Sequence, residues 1–311
     1  MKKIATREAY GQALVALGRE NADVVVLDAD LSKSTKTIEF KKAFPERFFD
    51  MGIAEANMVG TAAGLAAAGK TPFCSTFAVF ATGRTYDQIR QSVAYPHLNV
   101  KIAATHAGLT VGEDGASHQS VEDIALMRVL PGMTVFVPAD AVEVHGAVAA
   151  AVRIDGPVYI RLGRMAVPIL HSDDFKFVPG RAVELRPGTD VTIIACGIMV
   201  AEALKAAEDL AAEGVSAAVL NIHTIKPLDV AAVTEAARKT GAVVTAEEHS
   251  IIGGLGSAVA EALVENCPVP LVRVGVRDTF GESGKPDELL LKYGLTAGDI
   301  VTAVRQVLGR K

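Results

Sequence analysis

The stretch Asp50–Phe80, DMGIAEANMVGTAAGLAAAGKTPFCSTFAVF, places a predicted small-residue helix before a short apolar strand, Thr71–Ser75. Glu55 stands at the head of that helix, and Phe77 and Phe80 follow the strand three residues apart. A carboxylate beside aromatic rings suits a site where a flat heterocycle lies on the rings and shares a proton with the carboxylate. Taken singly, however, a first-turn acid is favoured by the helix dipole, and phenylalanines more often belong to a core.

The composition is that of a globular protein, with 311 residues, of which 50% are hydrophobic and 22% charged. This length favours two domains, and the apolar content is sufficient to build a core. The net charge is −5 and no basic stripe occurs, which argues against nucleic-acid binding. The N-terminus lacks the apolar segment of a signal peptide, and no apolar run is long enough for a membrane helix, so a cytoplasmic protein is expected. Three widely separated cysteines form neither a disulfide framework nor a zinc pattern.

Strand and helix patterns alternate over the first 165 residues or so, and the strands are continuous apolar runs. Such runs are typical of a parallel sheet covered by helices on both faces. The polar stretch 171–188 interrupts the alternation, and a second strand–helix series follows it. We therefore predict an α/β protein with two doubly wound domains, 1–170 and 189–311, joined by a linker at 171–188.

The loop THAGLTVGEDGASHQ follows a predicted strand and carries His106, Asp114 and His118. Such a loop can bind an anion and exchange protons, although a solvated polar loop explains a single occurrence equally well. The segment GGLG near residue 255 is a partial dinucleotide fingerprint, for which a packed strand-to-helix turn is the simpler explanation. No Walker lysine, GxSxG or HExxH motif occurs, and no carboxylate cluster has metal-ligand spacing, so no metal ligands are predicted in this chain. The remaining histidines without identifiable partners, expected to be solvated, are His97, His145 and His171.

Several motifs in fixed order resemble the C-terminal half of transketolase, and together they span essentially the whole chain. They are ATREAYGQAL, LDADLSKST, MGIAEANMVG, FCSTFAVF, THAGLTVGEDGASHQSVED, YIRLGR, IKPLD, EEHSIIGGLG and the closing SGKP and ELL segments. An ordered series is far more specific than any single motif. The resemblance implies a thiamine-diphosphate pyrimidine-binding domain followed by a transketolase C-terminal-like domain, and a role in the pentose phosphate pathway.

The resemblance also implies how the cofactor, thiamine diphosphate, is held. Glu55 would hydrogen-bond a pyrimidine ring nitrogen and act catalytically by shifting the cofactor to its imino form. This is physically reasonable, because a carboxylate in an apolar pocket has a raised proton affinity and can share a proton with a weakly basic ring. Phe77 and Phe80 would form the aromatic surface beneath the ring, and Asp30 and Leu31 match positions that line the cofactor pocket.

The substrates implied are sugar phosphates, between which a two-carbon ketol (glycolaldehyde) unit is transferred. By matching motifs, the phosphate would be held by Arg7, Ser34, His106 and Arg164. Arginine suits this task because its guanidinium fork binds phosphate bidentately, although either arginine could simply form a surface ion pair. Asp114 would read a sugar hydroxyl next to the reacting carbon. His118 would act on the terminal hydroxyl and carbonyl region of the donor and is the second expected catalytic residue.

Two departures from the transketolase pattern affect these expectations. Full transketolases carry an earlier domain whose GDG and Asn motif holds the diphosphate through Mg²⁺ or Ca²⁺, and no such motif occurs here. We therefore expect a separate N-terminal subunit to supply the metal ligands, with self-association into a heterotetramer. In addition, Gly83 stands where some relatives have an aromatic residue, and the alignment there requires a one-residue shift. Either the aromatic surface is shorter, or Tyr86 compensates.

Three alternatives remain open at this stage. The chain could be part of a 1-deoxyxylulose-5-phosphate synthase or the beta subunit of a 2-oxoacid dehydrogenase, although the segments VGEDGASHQ and IRLGR fit transketolase better. It could also be a non-catalytic paralogue that only binds a partner. The presence of the expected catalytic and substrate-binding residues argues against that third interpretation.

Overall fold

The computed structural model of the chain describes residues 2–311. Its first half contains eight strands: β1 (Lys3–Ala5), β2 (Val24–Asp28), β3 (Phe48–Asp50), β4 (Thr71–Ser75), β5 (Lys101–Ala104), β6 (Thr134–Phe136), β7 (Val158–Arg161) and β8 (Ala166–Pro168). The α-helices between them are α1 (Thr6–Glu20), α2 (Ser32–Thr35), α3 (Ile38–Ala43), α4 (Glu55–Ala67), α5 (Tyr86–Gln88), α6 (Asp123–Arg128) and α7 (Ala141–Arg153). Single 3₁₀ turns lie at 45–47 and 109–111.

The second half repeats the alternation of strands and helices. Its strands are β9 (Val183–Arg186), β10 (Val191–Ala195), β11 (Ala217–Asn221), β12 (Thr224–Lys226), β13 (Val243–Ser250) and β14 (Leu271–Val276). Its helices are α8 (Met199–Ala212), α9 (Val230–Thr240), α10 (Leu255–Asn266), α11 (Pro286–Lys292) and α12 (Ala297–Leu308). None of the helices within residues 2–311 combines the length and apolar character needed to cross a membrane.

The first sheet has the strand order β12-β6-β7-β5-β4-β2-β3, and all of its pairs are parallel except β12 with β6. Strand β2 explains why both faces are covered. Alternate side chains point to opposite faces, so Val24 and Val26 pack with α1 and α7, whereas Val25 and Leu27 pack with α4. A strand with four consecutive apolar positions therefore requires helices on both sides, as predicted from its sequence.

The second sheet has the order β14-β13-β10-β11-β9 and is parallel except for the edge strand β9. Here Ile193 packs with α8 and α12, and Ile194 packs with α9 and α10. The α/β fold with two doubly wound sheets is confirmed.

Two strands of the second half do not fit a simple division of the chain into two separate domains and a linker. Strand β9 lies inside the segment 171–188 that was expected to be a linker, and it pairs with β11. Strand β12 crosses to the first sheet and pairs with β6. One apolar cluster also contains Val135 of the first sheet together with Ile194 and Ile222. The two sheets are therefore joined both by strand pairing and by a common core.

His171 lies in the connecting segment and is buried, contrary to the expectation that it would be solvated. Its Nδ1 atom lies 3.1 Å from Oδ2 of Asp140, and its Nε2 atom lies 3.5 Å from Oε1 of Glu143. Asp140 also caps α7, since its carboxylate accepts the Glu143 N–H at 2.8 Å. A polar connecting sequence carries no local sign of this burial, which arises because the segment folds back onto α7.

Candidate active site

The candidate residues gather beyond the carboxyl ends of strands β2, β4, β5 and β7, which are parallel and lie next to or near one another in the sheet. In such a sheet, the turns that leave these strand ends meet along one edge, where ligands commonly bind. The turn after β2 carries Asp30, Leu31 and Ser34, and the segment after β4 carries Phe77 and Phe80. His106 lies two residues after the end of β5, and Arg164 lies three residues after the end of β7.

The aromatic side chains form a continuous stack. The rings of Phe77 and Phe80 are nearly parallel, with an interplanar angle of 11° and centroids 5.9 Å apart. His106 stacks on Phe77 at 3.7 Å, and His118 stands edge-on to Phe80 at 5.3 Å. The two phenylalanines and the two loop histidines, predicted separately from sequence, thus belong to one surface.

The segment that carries Phe80 is a π-helical turn, residues 80–84, followed by α5 and a second π-helical turn at 89–94. A π-helix holds one more residue per hydrogen-bonded turn than an α-helix, and such turns are frequent at functional sites. A Cβ atom added at Gly83 would meet no other atom within 4 Å, so the turn has open space at this position. Tyr86 packs against the apolar core instead, and no aromatic contact within the described residues links it to the Phe77–Phe80 stack.

Glu55 is the first residue of α4 and is only 6% exposed. Its Oε1 atom accepts a hydrogen bond from Nη1 of Arg84 at 2.8 Å. The Arg84 guanidinium also lies 4.0 Å from the centre of the Phe80 ring, within cation–π distance. Sequence analysis missed Arg84, although its spacing of four residues from Phe80 within a helical segment would have placed the two side chains together.

His106 is held in one tautomer by its neighbours. Arginine can only donate, so Nη1 of Arg7, 3.4 Å away, requires Nε2 of His106 to be the acceptor. The proton is therefore on Nδ1, which lies 2.8 Å from the hydroxyl of Thr105. Burial, and after it the positive charges of Arg7 and Arg164, lower the pKa of His106 to about 3. The imidazole is consequently neutral near pH 7 and acts as a hydrogen-bonding group.

The turn after β2 is fixed by the buried carboxylate of Asp28. Its Oδ1 atom accepts the Leu31 N–H at 2.7 Å, and Oδ2 accepts the hydroxyls of Thr35 and Thr37 at 2.7 and 2.8 Å. Burial raises the pKa of Asp28 to about 6 despite these hydrogen bonds. The carboxylate thereby holds the backbone that presents Ser34, whose carbonyl accepts Nη1 of Arg7 at 2.9 Å.

Asp30 and Leu31 lie on the same turn, close to the start of α4. The backbone of Asp30 adopts a positive φ of 60°, which aspartate tolerates better than most residues. Its N–H donates to Oδ1 of Asp50 at 3.2 Å, and Asp50 ends the strand before α4. Asp30 is exposed and Leu31 is half-buried, so both residues are accessible to solvent.

Arg164 and Asp114 meet at the far side of the site. Nη1 of Arg164 lies 3.6 Å from Oδ2 of Asp114 and 3.5 Å from Oε2 of Glu113, and it also donates to the carbonyl of Val111. These contacts hold Arg164 against the loop that carries Asp114 and His118. Over residues 2–311, no three His, Cys, Asp or Glu side chains lie close enough together to hold a metal ion.

Comparison with known proteins identifies two domains in succession. Residues 2–169 match the transketolase pyrimidine binding domain, and residues 180–300 match the transketolase C-terminal domain. The chain belongs to the transketolase family. The resemblance inferred from the ordered motifs is thereby confirmed, as is the order of the two domains.

Relatives within the transketolase family include proteins of nearly the same length. The chain is 52% identical to the 6-deoxy-6-sulfo-D-fructose transketolase subunit of Clostridium sp. (strain MSTE9), over 98% of this chain and 95% of the relative. It is 42% identical to an apulose-4-phosphate transketolase subunit of Phocaeicola vulgatus, over 94% of each. A solved structure described as a split gene transketolase, inactive beta4 tetramer, superposes with a TM-score of 0.93 at 63% identity, over 98% of this chain and 99% of that one.

The transketolase family implies dependence on thiamine diphosphate, and the Arg84 guanidinium provides a test of whether these residues fit its aminopyrimidine. This planar, nitrogen-rich cation occupies the two positions that an aminopyrimidine would need. It donates a hydrogen bond to Glu55, and it lies 4.0 Å from the Phe80 ring centre. A planar heterocycle could take its place on Phe80, and its ring nitrogen would then accept a hydrogen bond from the protonated Glu55 carboxyl, so Glu55 and Phe80 fit the cofactor.

Proposed function

We propose that this chain is the C-terminal subunit of a split thiamine-diphosphate-dependent transketolase. The enzyme transfers a two-carbon ketol unit from a ketose phosphate to an aldose phosphate. The observation that carries the proposal is the position of the Glu55 carboxylate beside the Phe77–Phe80 stack, where Arg84 contacts both the carboxylate and the Phe80 ring. The same proposal divides the chain into a pyrimidine-binding domain (1–170), a linker (171–188) and a second domain (189–311).

The reacting carbanion chemistry is supplied by thiamine diphosphate when it is bound. Glu55 holds a proton against the pyrimidine ring nitrogen, and its nearly complete burial strengthens this hydrogen bond by excluding water. Phe77 and Phe80 support the ring by stacking, while Asp30 and Leu31 border the same pocket. The protein therefore sets the protonation state and the orientation of the pyrimidine.

The donor sugar lies over His118, whose ring is edge-on to Phe80, and His118 acts on its terminal hydroxyl and carbonyl region. Asp114 orients a hydroxyl next to the reacting carbon. The distal phosphate is held by the guanidinium groups of Arg7 and Arg164, with Ser34 and neutral His106 adding hydrogen bonds. Charge-assisted, bidentate hydrogen bonds from arginine suit such a phosphate.

The partner in this proposal is an N-terminal transketolase subunit that supplies the diphosphate contacts and the ligands for Mg²⁺ or Ca²⁺. Two observations support it: the relatives named as subunits have nearly the same length as this chain, and the solved structure at 63% identity is described as a split gene product. The description of that structure as a beta4 tetramer also supports self-association of this chain.

The assay measures ketol transfer from xylulose 5-phosphate to ribose 5-phosphate in the presence of thiamine diphosphate and magnesium. The chain is tested alone and then mixed with a candidate N-terminal subunit. We expect no transfer from the chain alone and transfer from the mixture. Activity of the chain alone would contradict the requirement for a partner.

Donor preference is tested in the same mixture by replacing xylulose 5-phosphate with 6-deoxy-6-sulfo-D-fructose or apulose 4-phosphate, the sugars named for two relatives. Transfer from any of these donors supports the proposed reaction class, and their relative kcat/KM values identify the sugar. A mixture that binds thiamine diphosphate but transfers from none of the donors would contradict the proposed function.

A further inference from the structure

The loop of residues 105–119, which carries His106, Asp114 and His118, is attached to the second sheet by a buried carboxylate. Glu248 lies on β13 and is only 3% exposed. Its Oε1 atom accepts the backbone N–H of Thr110 at 2.6 Å. A buried hydrogen bond of this kind costs more to break than an exposed one, because neither partner can bond to water instead.

Gly108 is required for this contact. Its backbone adopts a positive φ of 82°, and a Cβ atom at this position would lie 2.2 Å from the carboxyl carbon of Glu248. The Glu248 carboxylate therefore occupies the space that any other side chain at position 108 would fill. The loop sequence and the second-domain glutamate are complementary in shape as well as in hydrogen bonding.

Arg161 holds Glu248 from the other side. Its Nη2 atom donates to the backbone carbonyl of Glu248 at 2.8 Å, and its Nε atom donates to Oδ2 of Asp123 at 2.8 Å. The hydroxyl of Tyr159 donates to the same Asp123 oxygen at 2.6 Å. Arg161 is the last residue of β7, and Arg164, one of the expected phosphate ligands, lies three residues further on. The network therefore links β13 to the strand that leads to Arg164.

A second attachment holds the middle and the end of the loop. The hydroxyl of Ser283 donates to the carbonyl of Glu113 at 2.6 Å, and Nε2 of Gln119, the last loop residue, donates to the carbonyl of Glu282 at 2.9 Å. The loop is thus held at Thr110 by β13 and at Glu113 and Gln119 by the segment before α11. Both attachments come from the second half of the chain, to which sequence analysis assigned no part in the site.

We propose that Glu248 is a positioning residue for substrate binding, through which the second domain fixes the loop that presents Asp114 and His118. This role rests on the transketolase function proposed above. Glu248 itself touches no expected substrate group, and it acts by holding the Thr110 backbone. It gives the second domain a part in setting the geometry of the donor site.

The chain provides a matched control in the neighbouring residue Glu247. Glu247 is also completely buried on β13, but its carboxylate accepts the N–H groups of Leu255 and Gly256 at 2.7 Å and so caps α10 rather than the loop. Three variants are compared: Glu248→Ala, Glu248→Gln and Glu247→Ala. Glutamine keeps a carbonyl oxygen that can accept the Thr110 N–H, so Glu248→Gln should rescue the loop.

The first readout is amide hydrogen exchange of the chain, which requires no activity. We expect Glu248→Ala to speed exchange in residues 105–119 by about tenfold, whereas Glu247→Ala speeds exchange mainly at the start of α10. Glu248→Gln should remain within about threefold of the wild type in the loop. Unchanged loop exchange in Glu248→Ala would overturn the proposal.

The second readout is kinetic, with the partnered enzyme. We expect Glu248→Ala to raise the KM for the ketose donor by about tenfold while leaving thiamine diphosphate binding unchanged, and Glu247→Ala to change neither. Equal KM increases in the two alanine variants would mean that Glu248 affects donor binding only by stabilising the fold, as Glu247 does. That result would overturn the proposal. If the partnered wild type transfers no ketol unit, the function proposed above fails, while the exchange experiment still decides whether Glu248 holds the loop.

Discussion

Arg84 makes an ion pair with Glu55, in which its Nη1 atom lies 2.8 Å from Oε1 of the carboxylate while the guanidinium rests on Phe80. Both contacts are ones that the aminopyrimidine of the cofactor would make in the proposed function. Arg84 and the cofactor therefore compete for the same carboxylate and the same ring. In the proposed function, cofactor binding would displace the arginine, whose side chain is 54% exposed and can move into solvent.

Replacing Arg84 should consequently strengthen cofactor binding. Half-exposed ion pairs contribute up to about 1 kcal/mol, so Arg84→Met should lower the Kd of thiamine diphosphate by about two- to fivefold. The measurement is calorimetric titration of the partnered complex at fixed magnesium concentration. Arg90→Met, at an exposed position in the following turn, serves as the control and should leave the Kd unchanged. Weaker binding in Arg84→Met would mean that the arginine supports the cofactor rather than competing with it.

Replacing Glu55 with glutamine should separate cofactor binding from catalysis. Glutamine is nearly isosteric and can still hydrogen-bond the pyrimidine, but it cannot share a proton with the ring. Since positioned acid–base groups contribute about 10²–10⁴-fold to rate, we expect kcat to fall by at least about a hundredfold while the Kd of thiamine diphosphate changes far less. The exposed Glu208→Gln on α8 is the control. Near-normal turnover in Glu55→Gln would remove Glu55 from its proposed catalytic role.

Replacing Arg7 with lysine should affect only donors that carry a distal anion. Arg7 is oriented by the Ser34 carbonyl, and lysine lacks the guanidinium fork that binds phosphate bidentately. We expect Arg7→Lys to raise the KM for a phosphorylated ketose about tenfold with little change in kcat. A donor without a distal anion, such as hydroxypyruvate, should show no difference between variant and wild type.

The exposed Arg19 lies on the same helix as Arg7, so Arg19→Lys is the matched control and should behave like the wild type with both donors. An equal loss with phosphorylated and unphosphorylated donors would indicate that Arg7 supports the fold of the site rather than phosphate binding.

Much of the fold could be predicted because the strands can be recognised locally, as short runs of apolar residues. Strand β2 is apolar at four consecutive positions, and side-chain alternation then requires packing on both faces. The same local logic placed Glu55 at a helix start and Phe77 and Phe80 just after a strand. These residues meet in the structure because the carboxyl ends of parallel strands share one edge of the sheet.

Contacts between distant segments could not be predicted in this way. Arg84 and Glu55 are 29 residues apart, and Glu248 and Thr110 are 138 residues apart. Nothing local in the sequence EEH indicates that one glutamate caps a helix while the next holds a loop of the other sheet. Strand β12 is similar, since its pairing with β6 depends on how the two sheets pack and not on its own three residues.

The stability of the chain should depend on pH through Glu247, whose pKa is raised from the usual 4.5 to about 7 by burial. His249 lies nearby, with Nδ1 at 3.6 Å from the carboxylate, but burial lowers its pKa, so it provides little positive charge near pH 7. The unfolded chain ionises this carboxyl as the pH rises past about 4.5, whereas the folded chain retains the proton until about pH 7. Stability from this group is therefore complete below pH 4.5 and is lost as the pH rises through 7.

The glutamine side chain in Glu247→Gln cannot ionise. The difference in the free energy of unfolding between wild type and this variant therefore reports the ionisation of Glu247 alone, because the other buried acids are the same in both proteins. From pH 4.5 to pH 8, we expect the free energy of unfolding of the wild type to fall by about 3 kcal/mol relative to the glutamine variant. Urea unfolding of both proteins at several pH values across this range measures the difference, with the exposed Glu208→Gln as control. A difference that stays constant with pH would show that Glu247 ionises normally in the folded chain, and that the N–H groups of Leu255 and Gly256 offset the effect of its burial.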